Sequence, residues 1–188
     1  IIGLVFGASS IFASCFGVEW LDSVVNVRDA APLSAGLIFG APAGIISGVI
    51  GGVFRWVSVL WTNAEYTRLA CSIATILAGL LAAGLRKLMF DDKKPTWGYG
   101  ACIAVVCEVI HMILLTNMDN SSQAFEFVKG AAVPMIVGNA IAVCLSVGIV
   151  SLLKYDGIPK IKGERIANTF QRWLLICIIA AYLVTSVF

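Results

Sequence analysis

Residues 28–56 read RDAAPLSAGLIFGAPAGIISGVIGGVFRW. The run from Ala30 to Phe54 carries no charge. Arg28 and Arg55 stand at its ends, and Gly40-Ala41-Pro42 interrupts it. Proline disfavours helical geometry in the residue before it, and glycine supplies the bend. As one helix the run would be about 38 Å long at 1.5 Å per residue, with its arginines on opposite sides of a bilayer. As a hairpin it has two arms of about 18–20 Å each, and both arginines return to one side. Arms that short do not span unaided. Broken segments of this kind are tolerated where protein rather than lipid surrounds them, and they recur at transporter binding sites. The hairpin is the favoured reading. A guanidinium stays ionised at any relevant pH, and placing one in the membrane costs about 2.5–3.5 kcal/mol on insertion scales. Two of them at the ends of a broken apolar segment point to a site for something anionic. Snorkelling to the lipid headgroups is the plainer alternative.

The surrounding chain fits a membrane setting. It is 60% hydrophobic and 13% charged, against about 25% charged in soluble domains. Several apolar runs approach the roughly 20 residues that cross a bilayer. The expected fold class is all-α, a polytopic membrane helix bundle of six to seven elements in the plasma (inner) membrane. Its elements are 1–16, the hairpin 30–55, then 68–88, 97–116, 130–153 and 170–188. A short acidic connection with Glu19, Asp22 and Asp29 precedes the hairpin. The chain starts at Ile1 rather than Met, which suggests a piece of something longer. No basic region precedes the first apolar run, so no secretory signal peptide is expected. No basic tract points to nucleic acid. The six cysteines lie in apolar context without a CxxC pair and read as packing residues. Small residues such as Gly44, Gly48, Gly51 and Gly52 read as close helix contacts.

Charge orders the topology. Nine of the 13 basic residues fall in two connections. One, 86–97, holds Arg86, Lys87, Lys93 and Lys94. The other, 154–172, holds Lys154, Lys160, Lys162, Arg165 and Arg172. The positive-inside rule makes both cytoplasmic, and the two helices between them agree with that. With the hairpin, Arg28 and Arg55 then lie at the outer side.

This topology gathers the polar residues of the apolar runs into one outer layer. Arg28 and Arg55 end the hairpin arms. Cys71, Ser72 and Thr75 begin the next helix. Glu108 and His111 share a helix face by their i,i+3 spacing, and Asn139 lies in the outer half of 130–153. Intramembrane ionisable residues raise a functional hypothesis, so the candidate ligand-binding set is Arg28, Arg55, Cys71, Glu108, His111 and Asn139. Each has a plainer role available. Glu108 can neutralise Arg55, Asn139 can bond a neighbouring helix, and Cys71 can simply pack. One histidine and one glutamate are too few for a metal site, so no metal and no cofactor are expected. No Ser/His/Asp set, Walker motif, HExxH or GxGxxG in a strand context is present, so the chain is not expected to be an enzyme.

At these residues the sequence resembles a known family. Asn26-Val27-Arg28-Asp29 is followed by GLIFGAPAGIISGVIGGVFRW (36–56), ACSIATILAGLLAAGL (70–85), EVIHMILL (108–115) and VPMIVGNAIAV (133–143). Their order and spacing resemble the five-transmembrane sensor region of LytS-type receptors, over about residues 1–153. The resemblance implies an input module coupled to a histidine kinase, diguanylate cyclase or serine phosphatase. It also implies a homodimer and, as in some members, a response to small carboxylates such as pyruvate. Arg28 and Arg55 match the family's arginines, and Cys71 matches a cysteine of some members. Where those members have serine three residues later, this chain has Ala74. A further helix precedes this region in relatives. Residues 154–169 are expected to be a basic cytoplasmic linker and 170–188 an additional helix. The hairpin is also similar, at fold level only, to substrate-binding subunits of energy-coupling-factor transporters, which makes solute capture for transport the rival function.

Overall fold

The computed structural model describes residues 1–61, 65–118 and 122–153. Six α-helices in this part bear out the all-α membrane bundle: α1 (Ile2–Cys15), α2 (Ala30–Phe39), α3 (Ala41–Ser58), α4 (Glu65–Phe90), α5 (Trp97–Met118) and α6 (Ser122–Leu153). Four of them, α3 to α6, are long and apolar enough to cross a membrane. The expected linker 154–169 and helix 170–188 lie outside the described residues.

The chain does double back at Gly40, which is the only described glycine with a left-handed φ, +95°. That φ is open to glycine and strained for other residues. The arms are unequal, however. The first, α2, has 10 residues and the second, α3, has 18, or about 15 Å and 27 Å of rise. Nearly all of α2 is buried, from Ala30 through Ile38, so protein surrounds the half-length helix. The arms touch through small residues. A Cβ placed on Gly44 would lie 2.7 Å from Gly36 Cα and 2.9 Å from the Gly79 carbonyl oxygen, so α2, α3 and α4 meet backbone to backbone. Arg86 of α4 reaches the far end of α2 and donates from Nη1 to the Leu37 carbonyl at 3.2 Å.

Two differences from the sequence reading matter for the site. The acidic connection forms a small antiparallel hairpin, β1 (Val18–Trp20) with β2 (Ser23–Val25), in the register Val18↔Val25 and Trp20↔Ser23. Its two-residue turn places Leu21 and Asp22 at φ +47° and +57°, the left-handed pair that tight hairpins require. The Tyr66 hydroxyl donates to the Leu21 carbonyl at 2.6 Å and ties this hairpin to α4. The second difference is that α6 starts at Ser122, not near 130. Ala124, Phe127 and Val128 form a buried face there, and Lys129 pairs with Glu126 at 2.8 Å on the exposed one. Pro134 sits inside α6 without ending it, as neighbouring helices permit in membranes.

Outward surfaces are apolar. On α6, Val133, Val137, Ile141, Leu145 and Ile149 recur every fourth residue and are exposed. Contiguous apolar surface of this kind suits lipid, not water. Inside, two apolar clusters fill the bundle. One joins Leu33 and Leu37 of α2 with Ala78, Ala82, Ile103, Val143 and Val147. The other joins Ala70 of α4 with Met112, Leu115, Phe127, Val128 and Met135. The buried polar residues lie between them. Thr75 separates the clusters on α4, Glu108 and His111 on α5, and Asn139 on α6.

Candidate ligand site in the polar layer

Arg28 enters this layer because Asn26 turns the chain. The Asn26 side-chain oxygen accepts from the Arg28 backbone N–H at 3.1 Å, a local bond that asparagine is suited to make. Asn139 then fixes the start of α2. Its Oδ1 accepts from the Ala30 N–H at 2.8 Å, and its Nδ2 donates to the carbonyls of Met135 at 3.0 Å and Asn26 at 3.4 Å. It supplies the capping bond that a helix N-terminus needs. Asp29 occupies the N-cap position but makes no capping bond, so its carboxylate is available to the layer.

The arginines meet one face of α4. Thr67, Cys71 and Thr75 stand at i, i+4 and i+8, which aligns them. Arg28 Nε donates to the Thr75 hydroxyl at 2.9 Å and lies 3.4 Å from Asp29 Oδ1. The Thr75 hydroxyl in turn donates to Asp29 Oδ1 at 2.6 Å. Arg55 Nη2 donates to Thr67 Oγ1 at 2.7 Å, and the Ser23 hydroxyl lies 3.0 Å from the same oxygen. Near the α3 terminus, Arg68 covers the Trp56 ring at 4.1 Å and donates to the Trp56 carbonyl at 2.9 Å. Arg55 is 4% exposed, and among the described residues no carboxylate lies within ion-pairing distance of it. The alternative that Glu108 neutralises Arg55 therefore does not hold. Glu108 faces His111 instead, at 3.4 Å.

His111 connects the two sides of the layer. Its Nε2 lies 3.3 Å from Cys71 Sγ, and its Nδ1 lies 3.2 Å from Asp29 Oδ2. Glu108 and His111 share a face of α5, in agreement with their spacing. Asp29, Glu108 and His111 offer ligand atoms within 4.8 Å of one another. The structure thus brings Arg28, Cys71, Glu108 and His111 together around Thr75 and Asp29. Arg55 stands at the Thr67 end of the same α4 face, and Asn139 is occupied in holding α2. Asp29 and Thr67 escaped the candidate set. By sequence Asp29 belongs to the acidic connection, although it adjoins Arg28. Thr67 was legible as the residue one turn before Cys71.

This arrangement has two poles. Arg55 has a guanidinium with no carboxylate in ion-pairing distance among the described residues, and its fork geometry matches carboxylate or phosphate. Both Glu108 carboxylate oxygens and His111 Nδ1 are buried without a hydrogen-bond partner among the described residues.

The comparisons agree with this architecture. Residues 1–152 match the family described as 5TMR of 5TMR-LYT. The sensor histidine kinase YpdA of Escherichia coli K12 is 30% identical over 169 residues, covering 89% of this chain and 27% of that protein. The sensor histidine kinase BtsS of the same strain is 26% identical over 147 residues, covering 76% and 25%. The sensor histidine kinase/phosphatase LytS of Staphylococcus aureus N315 is 30% identical over 138 residues, covering 71% and 23%. The chain therefore spans about a quarter of the length of these relatives. No solved structure matches it. Its helices, its buried polar layer and the match over residues 1–152 place this chain in the 5TM-5TMR_LYT family of multi-pass membrane sensor regions.

Proposed function

We propose that this chain is the signal-input module of a membrane receptor and that it binds a small anion, a carboxylate, from the outer side. One observation carries the reading: Arg55 is buried, bonded to a neutral hydroxyl and without a carboxylate partner among the described residues. An uncompensated buried charge is costly, and an entering anion removes that cost. Arg28 stands by on the same α4 face and shares its charge with Asp29. In this reading Cys71, which lies between Thr67 and Thr75 on α4, touches the ligand. The response is a population shift, in which the anion favours one packing of α4, α5 and α6 over another. Taking that equilibrium from 1:99 to 99:1 needs about 5.5 kcal/mol of differential affinity. The output runs through residues 154–169 and 170–188 to a signalling domain beyond this chain, and the module works as a homodimer.

Thermal unfolding of the purified protein against a panel of small carboxylates and phosphates tests this. A bound anion at a hundred times its Kd stabilises by about 2.7 kcal/mol. The expected result is saturable stabilisation by a carboxylate, lost in Arg55→Gln. A flat panel, or an undiminished shift in Arg55→Gln, refutes the reading. Uptake of the same carboxylate into vesicles would support the transport function instead.

A further inference from the structure

Three serine hydroxyls aside, every unsatisfied buried side-chain atom among the described residues belongs to Glu108 or His111. Both Glu108 oxygens and His111 Nδ1 lack a hydrogen-bond partner, although each residue is 0% exposed. Native interiors rarely leave such groups unpaired, and here all three atoms belong to one turn of α5. Asp29, from the far end of the sequence, completes the set.

Two of the three separations, both from His111 Nδ1, are those of a coordination polyhedron, and all three ligand atoms lie within 4.8 Å of one another. His111 Nδ1 lies 3.2 Å from Asp29 Oδ2 and 3.4 Å from Glu108 Oε2, yet neither approach forms a hydrogen bond from that nitrogen. A tetrahedral ion with bonds of about 2.0–2.1 Å holds its ligand atoms about 3.3–3.4 Å apart. The surrounding contacts orient each donor. Asp29 Oδ1 is taken by Thr75 and Arg28, which leaves Oδ2 for the cluster. His111 Nε2 lies 3.3 Å from Cys71 Sγ, and a proton donated there leaves the lone pair on Nδ1. Outer contacts of this type fix tautomer and orientation in metal sites.

We propose that Asp29, Glu108 and His111 together bind one divalent first-row transition-metal ion, of which Zn²⁺ fits the donors best. Two carboxylates match its charge, and the imidazole disfavours Ca²⁺ and Mg²⁺. Three protein ligands leave a position open for water or a bound molecule. The sequence offered only Glu108 and His111, so the third ligand appears only when the fold brings Asp29 to them. The site uses neither arginine as a ligand and goes beyond the anion reading.

His111 is the only histidine of the chain, which makes the test direct. The whole chain, purified without a polyhistidine tag and stripped by chelator, is titrated with Zn²⁺ and with Co²⁺ or Cu²⁺ as spectroscopic substitutes. Bound metal is then counted. The expected result is about one ion per chain, with imidazole-nitrogen coupling in pulsed electron paramagnetic resonance of the Cu²⁺ form. Affinity should fall at least tenfold in Glu108→Gln and His111→Gln, because removing even outer contacts costs 10–100-fold. Arg55→Gln should bind metal as the wild type does while losing anion stabilisation, which separates this site from the anion site. Absence of stoichiometric metal in the wild type, absence of imidazole coupling, or unchanged affinity in Glu108→Gln overturns the proposal. The wild-type measurements decide it even if a variant does not fold.

Discussion

Thr67 and Thr75 stand two turns apart on one face of α4, and each accepts an N–H from a different buried arginine, Arg55 and Arg28 respectively. The two arginines differ in what else they meet. Arg28 has Asp29 beside it at 3.4 Å, whereas Arg55 has no carboxylate among the described residues. Removing the charge of Arg55 and removing the counter-charge of Arg28 should therefore act in opposite ways.

Arg55→Gln removes a buried charge that no described carboxylate balances. The ligand-free protein should be no less stable than wild type, and its affinity for the stabilising anion should fall at least tenfold. Removing one partner of a buried charged contact costs about 2–5 kcal/mol. Thermal unfolding with and without carboxylate reads both effects. A strongly destabilised ligand-free variant would mean that Arg55 already has a counter-charge.

Asp29→Ala should behave as the breaking of a buried pair. It removes the carboxylate beside Arg28 and leaves the Thr75 hydroxyl bonded to Nε, and about 3–5 kcal/mol of stability should be lost. Arg28→Met combined with Asp29→Leu should recover part of that loss. A double-mutant cycle with a coupling energy near zero would show that the two side chains act independently.

Asn139→Ala deletes the acceptor for the Ala30 N–H. The expected cost is about 1 kcal/mol, typical of a lost cap, plus a weaker anion response because Arg28 is placed by the same turn. Chemical unfolding together with carboxylate titration checks the two parts. A normal anion affinity would show that Asn139 has no influence on Arg28.

Gly44→Val and Gly84→Ala form a contrasting pair. A Cβ at Gly44 would meet Gly36 Cα at 2.7 Å, whereas one at Gly84 meets nothing within 4 Å. The first should destabilise by about 1–3 kcal/mol or more through overpacking. The second should be neutral or stabilise by up to about 1 kcal/mol through helix propensity. Melting temperatures that ranked the two in reverse would contradict the backbone contact of α2, α3 and α4.

Much of this architecture was legible because membranes impose simple patterns. Apolar run length revealed the spans, and Gly40-Ala41-Pro42 with its flanking arginines revealed the bend. The one-layer reading of Cys71, Thr75, Glu108, His111 and Asn139 followed from counting along helices. Unequal arms were not legible, since α3 continues past Arg55 to Ser58 through the exposed Trp56 and Val57, where no change in the apolar pattern marks an end. The β-hairpin also lacked a sequence signal, because Leu21-Asp22 is not the usual Asn-Gly or Asp-Gly turn. The start of α6 at Ser122 was hidden by the charged pair Glu126 and Lys129, which lies on its exposed side. Asp29 was missed for a different reason. Its partners Thr75 and His111 lie far along the chain, and no local pattern announces a contact over such a separation.

The short helix α2 is fastened at each extremity by a side chain from a remote part of the chain. Asn139 grips its first amide and Arg86 its Leu37 carbonyl. Such a strut has no slack. Sliding it along its axis would have to snap one of these fastenings or carry α6 or the end of α4 with it.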